Sequence, residues 1–129
     1  MLLSNKQKRD LLNKAFDNGW FQIIVQVKGL FLKKMRAQVF LYSGEHYFIL
    51  LKSSTSRLKD INIENLLNKG QVAIFTLEMM KNIKPMKILG IKGFRFIVDN
   101  KKYKFISHRN ADSWVFHLQH PDKPVDFKL

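Results

Sequence analysis

The spacing of apolar residues along the first part of the chain is helical. In residues 5–17 apolar side chains recur three and four positions apart, with charged residues between them: Leu11, Leu12, Ala15 and Phe16. Ser4 and Gln7 have the S-x-x-Q spacing of a capping box, and Gly19 can end a helix. The pattern predicts an amphipathic helix over residues 5–17 with a basic outer face.

From Trp20 onwards the apolar period shortens to two, the period of a half-buried strand. In WFQIIVQV (20–27) this alternation puts four apolar residues on one side: Phe21, Ile23, Val25 and Val27. Further strand-like runs are RAQVFLY (36–42), HYFILLK (46–52), QVAIFTLEM (71–79), MKILGI (86–91), GFRFIVD (93–99) and KYKFISH (102–108). Strands this short and this close leave no room for crossover helices, so we expect a mainly antiparallel sheet.

Turn-forming residues separate these runs. Ser43-Gly44-Glu45 and Asp99-Asn100-Lys101 predict two hairpins. The polar segment 53–60 predicts a loop, and KNIKP (81–85) predicts a turn, because proline cannot donate to a strand ladder. Residues 61–70, INIENLLNKG, are compatible with a short strand at 61–63 followed by a helical turn at 64–68.

The helical period returns near the C-terminus, in SHRNADSWVFHLQ (107–119). One apolar stripe at positions i, i+3, i+4 and i+7 consists of Ala111, Trp114, Val115 and Leu118. Asn110 is an N-cap candidate, Asp112 favours the positive start of a helix, and Pro121 ends it. We therefore predict a helix at 110–119 that closes an open end or face of the sheet with Trp114 inside, followed by an extended tail.

Together these elements predict one α+β domain over residues 1–129. It comprises a strongly bent antiparallel sheet, or partly open barrel, of about seven strands, with an N-terminal helix and a C-terminal capping helix. The expected division is an N-terminal helical segment (1–18), the sheet (20–107), the capping helix (110–119) and the tail (120–129). A chain of 129 residues with 46% hydrophobic content suits a single globular domain.

This order of elements resembles the pleckstrin-homology (PH) superfold, a bent seven-stranded sheet closed by one C-terminal helix with an inward-facing Trp. KGLFLKK (28–34) resembles its first strand, although WFQIIVQV competes for that position. RAQVFLY and EHYFILLK resemble its second and third strands, and residues 94–119 resemble its last hairpin and capping helix. The resemblance covers roughly residues 20–119 and implies that Trp114 occupies the position of the family's helix Trp.

The strongest compositional feature is a net charge of +13, from 23 Lys and Arg against 10 Asp and Glu. Such a field attracts nucleic acid, anionic lipid head groups or an acidic protein. The alternative is that the charge only keeps a small protein soluble.

The chain has no cysteine, which excludes disulfides, thiolate metal sites and cysteine nucleophiles. The first residues lack the pattern of a secretory signal, and no apolar run approaches the roughly 20 residues of a membrane span. We therefore expect a cytoplasmic protein, with peripheral attachment to a membrane as an option.

Two segments supply candidate anion-binding residues. The first loosely matches the family's lipid-binding pattern of a basic residue followed by basic-x-Arg, and consists of Lys28, Lys33, Lys34 and Arg36. Clustered ammonium groups and a guanidinium can surround a phosphate, with Arg offering a planar bidentate fork. The second segment contains Lys92, Arg95, Lys101, Lys102 and Lys104.

Within the second segment, KGFRFIV (92–98) also resembles the first ribonucleoprotein motif, in which exposed aromatic residues stack on bases. Strand alternation puts Phe94 and Phe96 on one face and Arg95 on the other. We interpret the two Phe side chains as core residues, which leaves nucleic-acid binding through phosphates alone as an open alternative.

Support for catalysis is thin. No catalytic motif is present, and the acidic residues lie in separate predicted elements. A three-histidine metal set of His108, His117 and His120 is conceivable, but we interpret these as surface residues. We predict that the protein is not an enzyme and holds no metal or cofactor.

Three functional hypotheses follow. The leading one is a non-catalytic binding or scaffolding module that acts on an acidic membrane surface or an acidic protein. The alternative is a nucleic-acid-binding accessory protein of a phage, plasmid or other mobile element, and a third is a homo-oligomeric structural protein. The N-terminal helix either packs on the sheet or lies on a membrane with its basic face toward head groups.

Overall fold

A computed structural model describes residues 3–18, 21–52 and 61–128. The helices and strands, in chain order, are α1 (Asn5–Asn18), β1 (Gln22–Lys28), β2 (Phe31–Tyr42), β3 (Glu45–Leu51), α2 (Ile63–Asn68), β4 (Val72–Thr76), β5 (Lys81–Ile88), β6 (Ile91–Val98), β7 (Lys101–Ile106) and α3 (Ala111–Gln119). A single 3-10 turn, Leu77–Met79, links β4 to β5. Of the helices in these ranges, none has the length and apolarity needed to cross a membrane.

Within the described residues, seven antiparallel strands form one sheet in the order β4-β3-β2-β1-β7-β6-β5. The sheet does not close, because β4 and β5 occupy its two edges. It is strongly bent: the rings of Phe48 in β3 and Phe96 in β6 lie 5.6 Å apart, centroid to centroid. A flat sheet would separate strands four positions apart by about 19 Å. The predicted α+β class, with a bent antiparallel sheet and two terminal helices, is confirmed.

The strand directions fix which turns share an end of the sheet. Because β1 and β6 are both antiparallel to β7, they run in the same direction. The β1–β2 turn (29–30) and the β6–β7 turn (99–100) therefore lie at one end. The β2–β3 turn (43–44) and the β5–β6 turn (89–90) lie at the opposite end.

The inner face of the bent sheet encloses an aromatic core that α3 covers. Trp114 is 1% exposed, and its ring centroid lies 5.8 Å from Phe48 and 5.7 Å from Phe94. Phe127 of the tail also packs against Trp114, with the ring centroids 4.9 Å apart. The prediction of a capping helix with Trp114 inside is confirmed.

The start of α3 is built differently from the prediction. Asn110 makes no side-chain bond to the helix N-terminus. Its amide instead donates to the Lys128 carbonyl (2.7 Å) and accepts from the Lys128 N–H (2.6 Å). Asn110 therefore ties the tail back against the helix rather than capping it.

A second apolar cluster lies on the outer face of β2–β4, beneath α1 and α2. Leu11, Leu12 and Ala15 of α1 are fully buried against outer-facing residues of β3 such as Ile49. The predicted capping box is confirmed, since the Gln7 N–H donates to the Ser4 hydroxyl (3.1 Å) and the Ser4 N–H to the Gln7 side chain (2.9 Å). Of the two alternatives for the N-terminal helix, packing on the sheet is correct.

Three predicted segments fold differently. KNIKP is not a turn but the first half of β5, and Pro85 is tolerated there because β5 is an edge strand. MKILGI contains the end of β5, the turn 89–90 and the first residue of β6. Residues 61–63 form no strand: Asn62 caps α2 by accepting from the Asn65 N–H at 3.1 Å.

The β1–β2 region also differs. KGLFLKK is not one strand, because it contains the hairpin turn between β1 and β2. The side of β1 that was predicted to be apolar does not face the inner core. Ile23 on that side is 51% exposed, whereas Ile24 on the opposite side is fully buried in the core. QVAIFTLEM is a strand only as far as Thr76. The predicted loop 53–60, Gly19 and Trp20 lie outside the described residues.

Candidate anion-binding surfaces

Four lysines converge at the end of the sheet that carries the turns 29–30 and 99–100. We call them the basic end: Lys28 at the end of β1, Lys33 in β2, Lys52 directly after β3, and Lys101 at the start of β7. Lys33 shares its side of β2 with buried Met35, and Lys52 follows the side of β3 that holds buried Leu50. Strand alternation thus directs both lysines toward the open end of the inner core.

The pKa of Lys52 reflects the charges of the other three lysines. It is partly buried, and burial, followed by the positive charges of Lys101, Lys33 and Lys28, lowers its pKa below the ordinary lysine value. No carboxylate among the described residues contributes to this shift. The basic end is therefore a concentration of mutually repelling cations, and a bound anion would relieve the repulsion.

The candidate residues of the first segment are divided between two faces. Lys28 and Lys33 belong to the basic end, whereas Lys34 and Arg36 point to the outer face, where they pair with Val25 and Ile23 of β1. Their closeness in sequence does not place all four around one anion.

The second segment is divided in the same way. Arg95 in β6 lies directly opposite Lys104 in β7 and Lys84 in β5, which makes a row of three cations across the outer face. We call this the outer basic row. Lys102 lies two residues from Lys104 on the same face of β7. Like charges directly opposite one another destabilise a strand pair, so the row persists because of the core beneath it.

Lys92 is separate from both surfaces. It lies on the inner side of β6, and its ammonium is 3.6 Å from the Asp112 carboxylate in the first turn of α3. The two residues line a cleft of about 550 Å³ beside the start of α3, together with Lys87, His108 and Arg109.

Sequence reasoning missed two cations, for different reasons. Lys52 was counted with the third predicted strand, although its alternation with Phe48 and Leu50 signals an inward direction at the strand end. Lys84 was missed because KNIKP was predicted to be a turn, and no local signal reveals that it pairs with Arg95.

The aromatic residues of KGFRFIV are structural. Phe94 and Phe96 are fully buried and stack on Phe105 at centroid distances of 5.3 and 5.7 Å. They are therefore closed to bases, which confirms their interpretation as core residues and excludes stacking in the manner of a ribonucleoprotein motif.

The β1–β2 turn carries an apolar tip, formed by Leu30, Phe31 and Leu32. Their exposed fractions are 100%, 80% and 65%. Gly29 has a φ of 61°, and Leu30 does not share this positive φ, the pattern of a type II′ turn, which needs glycine at its first central position. The tip is flanked in sequence by Lys28 and Lys33, so cationic side chains border the apolar block on both sides.

The histidines do not assemble a metal site. Across the described ranges no group of three His, Cys, Asp or Glu side chains comes together to hold a metal ion. His108 and His120 are exposed, whereas His117 is partly buried. Burial, and next the neighbouring His46, lower the pKa of His117, which favours its neutral form.

The chain was compared with protein-family models, with curated proteins and with solved structures. None of the three comparisons finds a match. The geometry of the basic end, the outer basic row and the apolar tip therefore carries the functional argument.

Proposed function

We propose that this protein is a non-catalytic binding module that docks on an anionic partner, an acidic membrane surface or an acidic protein, through the basic end. The observation that carries the proposal is the convergence of Lys28, Lys33 and Lys101 on partly buried Lys52, whose pKa is lowered by burial first and then by these three charges. Four cations from four strand ends meet without a carboxylate that contributes to the Lys52 shift. We also propose a PH-like superfold, which the strand order and the Trp114-bearing capping helix support.

The arrangement favours an extended anionic partner over a single small anion. Lys28 and Lys33 belong to one hairpin, while Lys52 and Lys101 follow or begin strands elsewhere in the sheet. A surface that contacts all four receives about 1 kcal/mol from each lysine near an anionic bilayer. Four such contacts amount to about 4 kcal/mol, nearly a thousandfold in partitioning.

Vesicle co-sedimentation tests this proposal. Wild-type protein is titrated against phosphatidylcholine vesicles with and without phosphatidylserine, and in parallel against polyglutamate as an acidic polypeptide. The variant Lys33→Gln/Lys101→Gln should weaken binding to the preferred anionic probe roughly 30-fold, since two lysine contacts are lost.

The matched control is Lys6→Gln/Lys123→Gln, which removes the same charge from exposed positions on α1 and in the tail. It should lower affinity much less than the basic-end variant. Equal losses in the two variants would show that only net charge matters and would overturn the basic end as a site.

The outer basic row favours a second candidate function, a nucleic-acid-binding accessory protein of a phage, plasmid or other mobile element. Lys84, Arg95 and Lys104 lie side by side on neighbouring strands, about 4.8 Å apart from strand to strand. A strip of this kind can follow a phosphate backbone without reading bases.

Single-stranded DNA binding measured at several salt concentrations separates this candidate from the first. The variant Lys84→Gln/Arg95→Gln/Lys104→Gln should reduce the slope of log affinity against log salt by about 2 if three phosphate contacts are lost. An unchanged slope, or binding that depends on Lys33 and Lys101 instead, would contradict the nucleic-acid function.

A further inference from the structure

A cavity of about 510 Å³ opens between α3, the tail and the inner side of β1, β2 and β3. Its walls include Val39 and Leu41 of β2, His46 of β3 and Pro121 of the tail. Leu41 pairs with His46 beside the turn 43–44, so the cavity lies at the end of the sheet opposite the basic end. Its volume is within the range of about 300–1,000 Å³ that small-molecule sites occupy.

Two side-chain nitrogens on the α3 wall of this cavity are buried without a hydrogen-bond partner. They are Trp114 Nε1 and His117 Nδ1, and neither forms a hydrogen bond within the described residues. The two side chains are three residues apart on one face of α3, with ring centroids 6.3 Å apart. Because burying a polar group without a partner costs free energy, buried polar groups are nearly always satisfied. Two neighbouring exceptions on the wall of one cavity indicate a function that needs these nitrogens.

Phe127 of the tail covers both rings. Its ring centroid lies 4.9 Å from that of Trp114 and 5.7 Å from that of His117. A phenyl ring shields the two nitrogens from water but gives them no hydrogen bond in exchange. The contact of Phe127 with these rings is therefore favourable for the apolar atoms and unfavourable for the nitrogens.

The tail that carries Phe127 can move without disturbing the sheet. Residues 120–128 contain no helix or strand. The Ser113 hydroxyl donates to the Asp126 carbonyl at 3.0 Å, and the Asn110 amide bonds to the backbone of Lys128. Both ties are exposed side-chain bonds, which water can replace.

The groups on the cavity wall indicate the chemistry of a ligand. Gln22 and His46 line the cavity together with Trp114 and His117, whereas no Asp or Glu of the described residues does. Asp122 approaches His46 Nε2 at 3.5 Å, but its side chain is mostly exposed and lies outside the lining. A carboxylate can accept from the Trp114 N–H and from a proton on His117 Nδ1, and the net charge of +13 attracts anions.

We propose that this cavity is a second binding site, for a small aromatic carboxylate, and that the tail competes with this ligand. In the unliganded protein Phe127 lies over Trp114 and His117. In the bound state the ring of the ligand takes the place of the Phe127 ring, and its carboxylate accepts hydrogen bonds from the two nitrogens. Because the cavity and the basic end lie at opposite ends of the sheet, the protein can hold this ligand and an anionic partner together.

The indole N–H resonance of Trp114 reports binding directly. The chain has two tryptophans, so a Trp20→Phe variant assigns the Trp114 signal. On titration of the full chain with 3-phenylpropanoate, this signal should move downfield as the N–H gains an acceptor. Acetate, which lacks the ring, and 3-phenylpropanamide, which lacks the charge, should bind about tenfold more weakly or less. Equal binding of the amide would overturn the carboxylate as the ligand class, and an unmoved Trp114 signal would overturn the site.

Phe127→Ala tests the competition by the tail. It should tighten the binding of 3-phenylpropanoate about fivefold, because the covering ring is removed and more of the protein is competent to bind. The matched control is Phe116→Ala, which removes an exposed ring of α3 outside the cavity lining and should leave the affinity unchanged. Weaker binding by Phe127→Ala would show that this ring is a wall of the site and would overturn the competition.

His117→Phe tests the role of the unpartnered nitrogen. It keeps an aromatic ring beside Phe127 but removes the hydrogen bond to the carboxylate, so binding should weaken about tenfold. The unfolding free energy should rise, because a buried nitrogen without a partner is removed. A variant that binds 3-phenylpropanoate as tightly as wild type would exclude His117 from the site and would contradict the proposal.

Discussion

The two halves of the bent sheet differ in what covers their outer faces. In the half formed by β2, β3 and β4, helices α1 and α2 lie on the outer face, so Phe48 and Ile49 are both fully buried on opposite sides of β3. In the half formed by β5, β6 and β7, the outer face carries the outer basic row instead, and those three side chains are exposed to water.

This difference separates the part of the sheet that is packed on both faces from the part that carries exposed charge. A strand buried on both faces cannot hold an unpaired cation without a large desolvation penalty. A strand with one wet face can hold several, provided that its other face is well packed. The stacked rings of Phe94, Phe96 and Phe105 supply that packing beneath Arg95 and Lys104. The mutually repelling cations thus lie on the face of the sheet that is exposed to water.

The largest loss of unfolding free energy should come from replacing Trp114, because its side chain packs against both halves of the sheet. Its ring contacts Phe48 from one half and Phe94 from the other. Trp114→Ala should cost about 3–5 kcal/mol of unfolding free energy, as for other large buried aromatic residues. Chemical denaturation of the variant measures this loss. A change below about 1 kcal/mol would show that α3 does not hold the halves together.

A smaller effect on the unfolding free energy should distinguish the outer face that α1 and α2 cover from the outer face that they leave exposed. Ile49 is fully buried beneath α1 and α2, whereas Ile23 lies on the outer face of β1 and is half exposed. Ile49→Ala should lower the unfolding free energy by roughly 3 kcal/mol. Ile23→Ala should change it by no more than about 0.5 kcal/mol. Similar costs in the two variants would mean that the outer faces are equally covered.

The same comparison explains which elements the sequence predicts well. Both terminal helices were found because their signals are local: the Ser4–Gln7 capping box begins α1, and one apolar stripe that includes Trp114 defines α3. The turn at Gly29 was missed because apolar residues run through it without a polar break. Pro85 was misinterpreted because its tolerance depends on β5 being an edge strand, a fact of strand order rather than of neighbouring residues.

Prediction of the candidate site from the sequence is limited in the same way, because long-range contacts decide which residues come together. The net charge of +13 draws attention to the basic residues, but the fold decides which of them share a face. Alternation along β2 already puts Lys33 and Lys34 on opposite faces, whereas only the register between β5 and β6 brings Lys84 beside Arg95. The approach of Lys52 to Lys101 depends on the bend of the sheet. Neither long-range pairing nor bending leaves a signature in the period of one strand.

A further prediction concerns Arg95, in the half of the sheet formed by β5, β6 and β7. Arg95 faces Lys84 on one side and Lys104 on the other, so a negative charge at its position converts two repulsive pairs into attractive ones. Arg95→Glu should raise the unfolding free energy by about 1 kcal/mol at low salt. The gain should shrink at high salt because exposed charges are screened.

Arg95→Gln provides the control, since it removes the repulsion without adding attraction and should give an intermediate gain. The comparison would fail if Arg95→Glu were destabilising at low salt. That result would mean that the outer basic row is already compensated and is not a repulsive surface.

The smallest expected effect is at Lys52, where the covered half meets the basic end. Its folded-state pKa lies below that of an unfolded lysine, so the unfolded chain binds more protons between the two values. The unfolding free energy therefore rises with pH through that window, and at pH 7 the penalty on the charged form is fully present. Lys52→Met keeps the apolar stem and removes the charge. It should raise stability at pH 7 by about 0.5 kcal/mol, the scale of changes at sites away from the core.

Denaturation of wild type and Lys52→Met at pH 7 and pH 10, with exposed Lys123→Met as a control, measures this effect. The advantage of Lys52→Met should narrow at pH 10, because Lys52, with its lowered pKa, is less protonated there than at pH 7. The same variant should bind phosphatidylserine vesicles more weakly, so that stability increases as binding decreases. If Lys52→Met were instead less stable at pH 7, Lys52 would have an attractive partner in the folded chain. Lys52 would then belong to an internal ion pair and would not contribute to binding an external anion.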